Sequence, residues 1–106
     1  MSGVPASPGT AIGRARVVGR TGDDGVALDA GDILVTVITD PLNFADLIEH
    51  AAALVTDLGG LASHPAILSR ELGIPCVVGT QIGTSVIQDG AMIVVDGAAG
   101  TVHAAG

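Results

Sequence analysis

Residues 56–80, with the sequence TDLGGLASHPAILSRELGIPCVVGT, decide which fold this chain can adopt. Pro65, near the middle of the stretch, marks a possible helix start, because proline is well tolerated at the first helical position. Gly73 can end that helix in the left-handed conformation, and Pro75 follows it. The stretch therefore predicts a helix over Pro65–Leu72 that is entered through a glycine-containing loop.

Short runs rich in valine and isoleucine lie on both sides of this helix, separated by turn signals such as Asp89-Gly90 and Asp96-Gly97. Apolar runs between turns are typical of β-strands. The predicted strands are Ala15–Gly19, Ile33–Ile38, Ala53–Val55, Cys76–Val78, Met92–Val95 and Thr101–His103. The turns that bracket the fifth of these strands indicate a meander at the end of the chain.

A second helix is predicted over Leu42–Ala52, with Asp40 as its N-cap and Pro41 at its start. The i, i+3, i+4, i+7 spacing of an amphipathic helix is met by four apolar residues: Phe44, Leu47, Ile48 and Ala51. Together the patterns predict an α/β fold, a compact mixed sheet with two main helices. Because no linker or repeat interrupts them, residues 1–106 are expected to form a single domain.

The composition excludes several classes of protein. With 48% hydrophobic and 14% charged residues, the chain has the composition of a folded domain. A formal net charge of −7 and a single aromatic residue, Phe44, argue against nucleic acid and anionic membranes as partners. Cys76 is the only cysteine, so no internal disulfide forms and a reducing, cytoplasmic location is expected.

The candidate for chemistry is His64, which lies at the predicted start of a helix directly after a glycine loop. Gly59 and Gly60 allow positive φ and expose backbone N–H groups, as anion-binding loops do. Ser63 or His64 is expected at the N-cap, where the helix presents unpaired N–H donors and a partial positive charge. That charge disfavours the imidazolium form and would stabilise a dianionic phosphoryl group on the ring.

The other histidines and the cysteine fit ordinary structural roles. His50 is expected on the surface, His103 in an edge or terminal strand, and Cys76 as a small buried hydrophobe. The spacing of these residues is not that of metal ligands, so no metal site is predicted. Ser63 beside His64 lacks the context of a nucleophilic triad. From local physics alone, a histidine at a helix start is more often a cap or a solvated side chain than a functional residue.

Residues 56–80 also resemble the phosphohistidine motif of the phosphoenolpyruvate-utilising enzymes, T-x-x-G-G-x-x-S-H-x-A-I followed by R-E-x-G-I-P-x-V-V-G. That family includes phosphoenolpyruvate synthase, pyruvate phosphate dikinase, enzyme I of the sugar phosphotransferase system and rifampin phosphotransferase. Segments 4–9 and 13–17 are similar to the start of the same mobile domain, and segments 89–90, 94–97 and 100–102 to its end, so the resemblance covers nearly the whole chain. Ala62 departs from the regulatory threonine of the dikinase and the synthase, which argues against that regulation here. Pro65, where many members have alanine, is a mild departure.

The resemblance implies a swivelling β/β/α phosphohistidine domain in which Nε2 of His64 carries the phosphoryl group. The group would come from phosphoenolpyruvate or ATP on a partner domain or protein and would pass to an acceptor. No cofactor is expected on this domain itself, and Mg²⁺ would be bound at the partner's active site. The isolated domain is expected to have no turnover.

Four residues near His64 are expected to support the phosphate: Thr56, Gly59, Gly60 and Ser63. Two alternatives remain open from the sequence. The chain can be a non-catalytic binding or regulatory module with the same fold, or a domain excised from a larger phosphotransferase.

Overall fold

A computed structural model describes residues 1–18, 28–37 and 48–105. Seven strands and two helices occur in these residues. In chain order they are β1 (Val4–Ser7), β2 (Thr10–Val17), β3 (Ile33–Thr36), β4 (Ala53–Thr56), α1 (His64–Leu72), β5 (Cys76–Val78), α2 (Gly83–Val86), β6 (Met92–Asp96) and β7 (Thr101–Ala104).

The strands form one mixed sheet with the order β1-β5-β4-β3-β2-β6-β7. The four strands from β5 to β2 run parallel to one another, whereas β1, β6 and β7 each pair antiparallel with their neighbours. Because parallel strands end at the same edge, the loops that follow β4 and β5 leave the sheet side by side. This arrangement brings the loop before His64 next to the segment that follows Val78.

Alternating side chains of the strands form two apolar cores, one on each face of the sheet. On one face Leu34, Leu54 and Val78 pack with Ala66 of α1. On the other face Val35, Val55 and Val77 pack with Ile93 and Val95 of β6. β5 contacts β6 although three strands separate them in the sheet order. The sheet is therefore curled, with α1 on its outer face and the second core inside the curl.

The first three residues close the curl. The Met1 amino group donates to Val102 O at 3.1 Å, and Val102 N donates to Met1 O at 2.9 Å. Gly3 N donates to Gly100 O at 2.8 Å. The segment before β1 is thus hydrogen-bonded along β7, and the two edges of the sheet meet there. No helix in the described residues is long and apolar enough to cross a membrane.

The predicted strands are confirmed, with shifted ends. Cys76–Val78 has the predicted bounds, and β4, β6 and β7 each extend one residue further than expected. β2 begins five residues earlier than the predicted Ala15 and ends at Val17. β3 ends at Thr36 rather than at Ile38, and Ile38, like Gly19, lies outside the described residues. The expected meander at the chain end is confirmed by the antiparallel pairing of β6 and β7.

The predicted end of the helix over Leu42–Ala52 is wrong. Residues 42–47 of that prediction lie outside the described residues, Ile48 is helical, and 49–50 form a turn. Ala52 N donates to Asp32 O at 2.8 Å, so the chain has left the helix in order to enter β4. The other helix is confirmed, although it begins at His64, one residue before the predicted Pro65.

Candidate functional site

His64 is the first residue of α1, where the loop that follows β4 meets the helix. Ser63 has an extended backbone, with φ −73° and ψ 157°, and is the N-cap, which resolves the choice between Ser63 and His64. Pro65 therefore occupies the second helical position, where its missing N–H is also harmless. His64 is half-buried above the buried Pro65 and Ala66, so part of its ring faces solvent at the positive end of the helix dipole.

The two glycines of the loop differ in conformation. Gly59 has φ +119°, and a Cβ built there would lie 2.9 Å from Ser63 Oγ. Gly60 does not have positive φ, and a Cβ there would meet no atom within 4 Å. The expectation of positive φ is therefore correct for Gly59 and wrong for Gly60, because the chain makes its left-handed turn at the first glycine alone.

Two hydroxyls expected to face the phosphate are used inside the loop. Ser63 Oγ donates to Gly60 O at 2.6 Å, and Ser63 N donates to the same oxygen at 3.0 Å. Thr56 is fully buried, and its Oγ1 donates to Leu58 O at 2.7 Å. Ser63 is half-buried beside His64, whereas Thr56 lies beneath the loop. Gly59, Gly60 and Ser63 thus lie in the loop that leads to the histidine. Thr56 lies below this loop and stabilises its conformation through the bond to Leu58 O.

Asp57 anchors the start of the loop. Its carboxylate is buried and accepts two hydrogen bonds from Thr84, from N at 2.9 Å and from Oγ1 at 2.5 Å. Thr80 Oγ1 donates to Thr56 O at 3.1 Å and accepts from Gly83 N at 3.2 Å. The segment after β5 is therefore bonded to the end of β4, and α2 is fixed beneath the loop.

Arg70 holds the other part of the loop. Its Nη2 donates to Leu61 O at 2.7 Å, and its Nη1 donates to Ala6 O of β1 at 2.9 Å. Leu61 precedes His64 by three residues. The loop is thus linked through one guanidinium to the sheet.

The segment around the histidine is uncharged. Residues 58–69 include no Asp, Glu, Lys or Arg, in a chain with a formal net charge of −7. Leu58, Leu61 and Ile67 are exposed there. An anion at the start of α1 would therefore meet no fixed negative charge from this segment. The exposed apolar side chains form a surface that loses little hydration energy when it is covered.

The remaining candidates from the sequence have the structural roles predicted for them. His50 is exposed in a turn, and His103 is exposed in β7, at the end of the sheet order. Cys76 is fully buried, and burial raises the pKa of its thiol to about 11. None of the three lies in the loop with His64.

Sequence reasoning did not identify Asp57, Arg70, Thr80 or Thr84 as parts of the site. A signal was available for two of them, because Asp57 and Thr80 each come shortly after an apolar parallel strand and the ends of such strands meet at one edge. Arg70 is the arginine of the R-E-x-G-I-P-x-V-V-G pattern, which gives its position but not its contacts. Its partner Leu61 O lies nine residues earlier, beyond the three- and four-residue spacing at which helix neighbours meet.

The sequence is similar over most of its length to a domain found in several much longer enzymes. The family model described as "PEP-utilising enzyme, mobile domain" matches residues 28–100. Phosphoenolpyruvate synthase of Aeropyrum pernix is 47% identical over 102 residues, which cover 96% of this chain and 12% of that protein. Rifampicin phosphotransferase of Streptomyces sviceus is 46% identical over 101 residues, 95% of this chain and 11% of that protein. The chain therefore spans about an eighth of the length of these relatives.

Solved structures show the same fold. An enzyme I protein (nEIt) matches with a TM-score of 0.65 and 32% identity, over 77% of this chain and 32% of that one. A UPF0107 protein matches with a TM-score of 0.75 over 100% of this chain and 98% of that one. At 17% identity the second match is evidence for the fold alone.

Proposed function

Because the chain belongs to the mobile-domain family of the PEP-utilising enzymes, we propose that it is a phosphoryl carrier in which His64 accepts and then donates the phosphoryl group. The donor would be phosphoenolpyruvate or ATP, held with Mg²⁺ on a partner domain or protein. The observation that carries the proposal is the position of His64, half-buried at the first residue of a nine-residue helix and preceded by an exposed glycine loop.

The chemistry needs a neutral imidazole and a place for a dianion. The Nε2 lone pair of His64 attacks the phosphorus, and the P–O bond to the donor breaks. The electron pair leaves with the pyruvate enolate or with the remainder of the ATP molecule. The positive end of α1 stabilises the added charge, and the absence of acidic residues from 58–69 leaves that charge unopposed by this segment. Transfer to the acceptor reverses the same step on another oxygen.

The supporting residues take different parts in this proposal. In this proposal the backbone N–H groups of Gly59 and Gly60 donate to phosphoryl oxygens. Ser63 Oγ can donate to one of those oxygens by exchanging its present bond to Gly60 O. Thr56 acts on the shape of the loop through its bond to Leu58 O. Little else is required of a carrier, because phosphoryl transfer depends mainly on positioning and charge stabilisation.

The test is phosphorylation by a family partner that lacks its own mobile domain, with radiolabelled phosphoenolpyruvate or ATP as donor. The label should be acid-labile and base-stable, as expected of a phosphohistidine. His64→Ala should abolish labelling, whereas His50→Ala and His103→Ala should label like the parent. Label that persists in His64→Ala would show that the assignment is wrong. A parent chain that binds the active partner but takes no label would indicate a non-catalytic binding module instead.

A further inference from the structure

Arg70 makes two hydrogen bonds that connect otherwise separate parts of the molecule. It lies in the last turn of α1, yet its guanidinium reaches Leu61 O of the loop at 2.7 Å and Ala6 O of β1 at 2.9 Å. Ala6 is buried in the sheet, so this acceptor is fixed by the surrounding core. The Leu61 carbonyl is therefore held at a set position relative to the sheet.

The loop depends on such a connection because its own composition favours motion. Gly59 and Gly60 lose more backbone entropy on ordering than other residues do. Leu61 and Ala62 are exposed, so their side chains contribute little packing that would hold the backbone. The bonds from Ser63 to Gly60 O act within the loop and do not attach it to the sheet. Arg70 supplies that attachment three residues before His64.

We propose that Arg70 is a positioning residue for phosphoryl transfer, acting on His64 through the Leu61 carbonyl. The inference rests on the proposed function of His64. A planar guanidinium donates from two nitrogens in a fixed geometry, which suits two carbonyls that must be held in one relation. A lysine ammonium carries the same charge on a single nitrogen and lacks this planar fork. Arg70 thus fixes the position of the loop, and the loop in turn fixes the positions of the His64 imidazole and of the neighbouring N–H groups.

The test compares Arg70→Lys, which keeps the charge, with Arg70→Met, which keeps most of the alkyl stem. Arg16→Met is the matched control, because it removes the same type of side chain from a site where the guanidinium pairs only loosely, at 3.8 Å from Asp32 and 3.6 Å from Asp89. Urea denaturation of each variant separates a loss of folding from a loss of transfer.

The first readout does not depend on phosphorylation. Backbone ¹⁵N relaxation of the unphosphorylated chain should show lower order parameters for residues 59–63 in both Arg70 variants, with β6 unchanged and Arg16→Met like the parent. Unchanged order parameters in the loop of Arg70→Met would overturn the proposal. This outcome is independent of whether His64 carries a phosphoryl group.

The second readout is the rate of transfer from the partner. Misplacement of a reacting group by about 1 Å costs about a hundred-fold in rate, so both variants should lower kcat about ten- to a hundred-fold, with KM for the partner little changed. Arg70→Lys should regain less than about threefold over Arg70→Met, because the fork and not the charge is required. Full activity in Arg70→Lys would assign Arg70 to direct charge stabilisation and overturn the positioning role. Absence of label in the parent would instead count against the proposed function.

Discussion

Substitution of the two loop glycines by alanine should have very different effects, although they are neighbours. At Gly59 the backbone has φ +119°, a region that residues with a Cβ rarely adopt, and such strain costs of the order of 1–3 kcal/mol. The new Cβ would also lie 2.9 Å from Ser63 Oγ, so the Ser63–Gly60 hydrogen bond must shift, at a cost of about 1 kcal/mol.

Gly59→Ala should therefore lower the free energy of unfolding by about 2–4 kcal/mol, and Tm by roughly 10–25 °C for a chain of this size. Gly60→Ala is the matched control, because a Cβ there meets no atom within 4 Å and φ is not positive. Its free energy of unfolding should stay within about 1 kcal/mol of the parent.

Urea and thermal denaturation followed by circular dichroism measure both values. Equal losses at the two positions, or a larger loss at Gly60, would refute the assignment of the turn to Gly59. Labelling of His64 adds a second comparison. Gly60→Ala folds like the parent, so any loss of its phosphorylation reports on how closely the phosphoryl group approaches Gly60.

Three further predictions concern groups away from the histidine. Thr84→Val should lower the free energy of unfolding by about 2 kcal/mol, because it leaves Asp57 Oδ2 without its hydroxyl donor. Thr84→Ser keeps the hydroxyl and should lose less than half as much. Equal losses for the two variants in urea denaturation would contradict the role of the Thr84 hydroxyl. The hydrogen bond from Arg14 lowers the pKa of Asp32 in the folded chain. As the pH falls, Asp32 therefore takes up a proton in the unfolded chain before it does so in the folded chain. The stability that Asp32 contributes above about pH 4 is lost as the pH falls further. The difference in stability between the parent and Asp32→Asn should accordingly shrink from pH 6 to pH 3, and a constant difference would count against it. Cys76 is buried, and the pKa of its thiol is raised to about 11. At pH 8 it should therefore react with a thiol reagent only as fast as the chain unfolds. Rapid modification of the native protein would show instead that the thiol is accessible.

The strands that the sequence predicted well are those whose pairing buries them on both faces. All residues of β4 and β5 are buried, and they are Val, Leu, Ala, Thr and Cys. Short apolar runs of this kind are typical of strands that are covered on both faces of a sheet. β1 was not predicted because VPAS has neither alternation nor a β-branched run. Its proline is tolerated because β1 pairs only with β5 and is interrupted by an irregularity between Pro5 and Ser7.

Some features of the site depend on residues close in sequence, whereas others depend on contacts between residues that are far apart in the chain. The positions of His64 and Ser63 could be predicted because a helix start depends on the residues beside it. The contacts of Asp57 with Thr84 and of Arg70 with Ala6 could not, since they join residues 27 and 64 positions apart. Such contacts follow from the strand order, which no local pattern encodes. The conformational difference between Gly59 and Gly60 is likewise set by where Ser63 and the start of the helix come to lie.

The pairing of residues 1–3 with β7 places the two ends of the described chain side by side. If further domains are joined to this chain, either end offers them the same region of its surface. Inserting it into a host chain requires the host to bring together two residues that are already neighbours, so the entropy cost of closing the loop is small. A short linker between Gly106 and Met1 should for the same reason allow the chain to be opened elsewhere, at an exposed turn, without loss of the curled sheet.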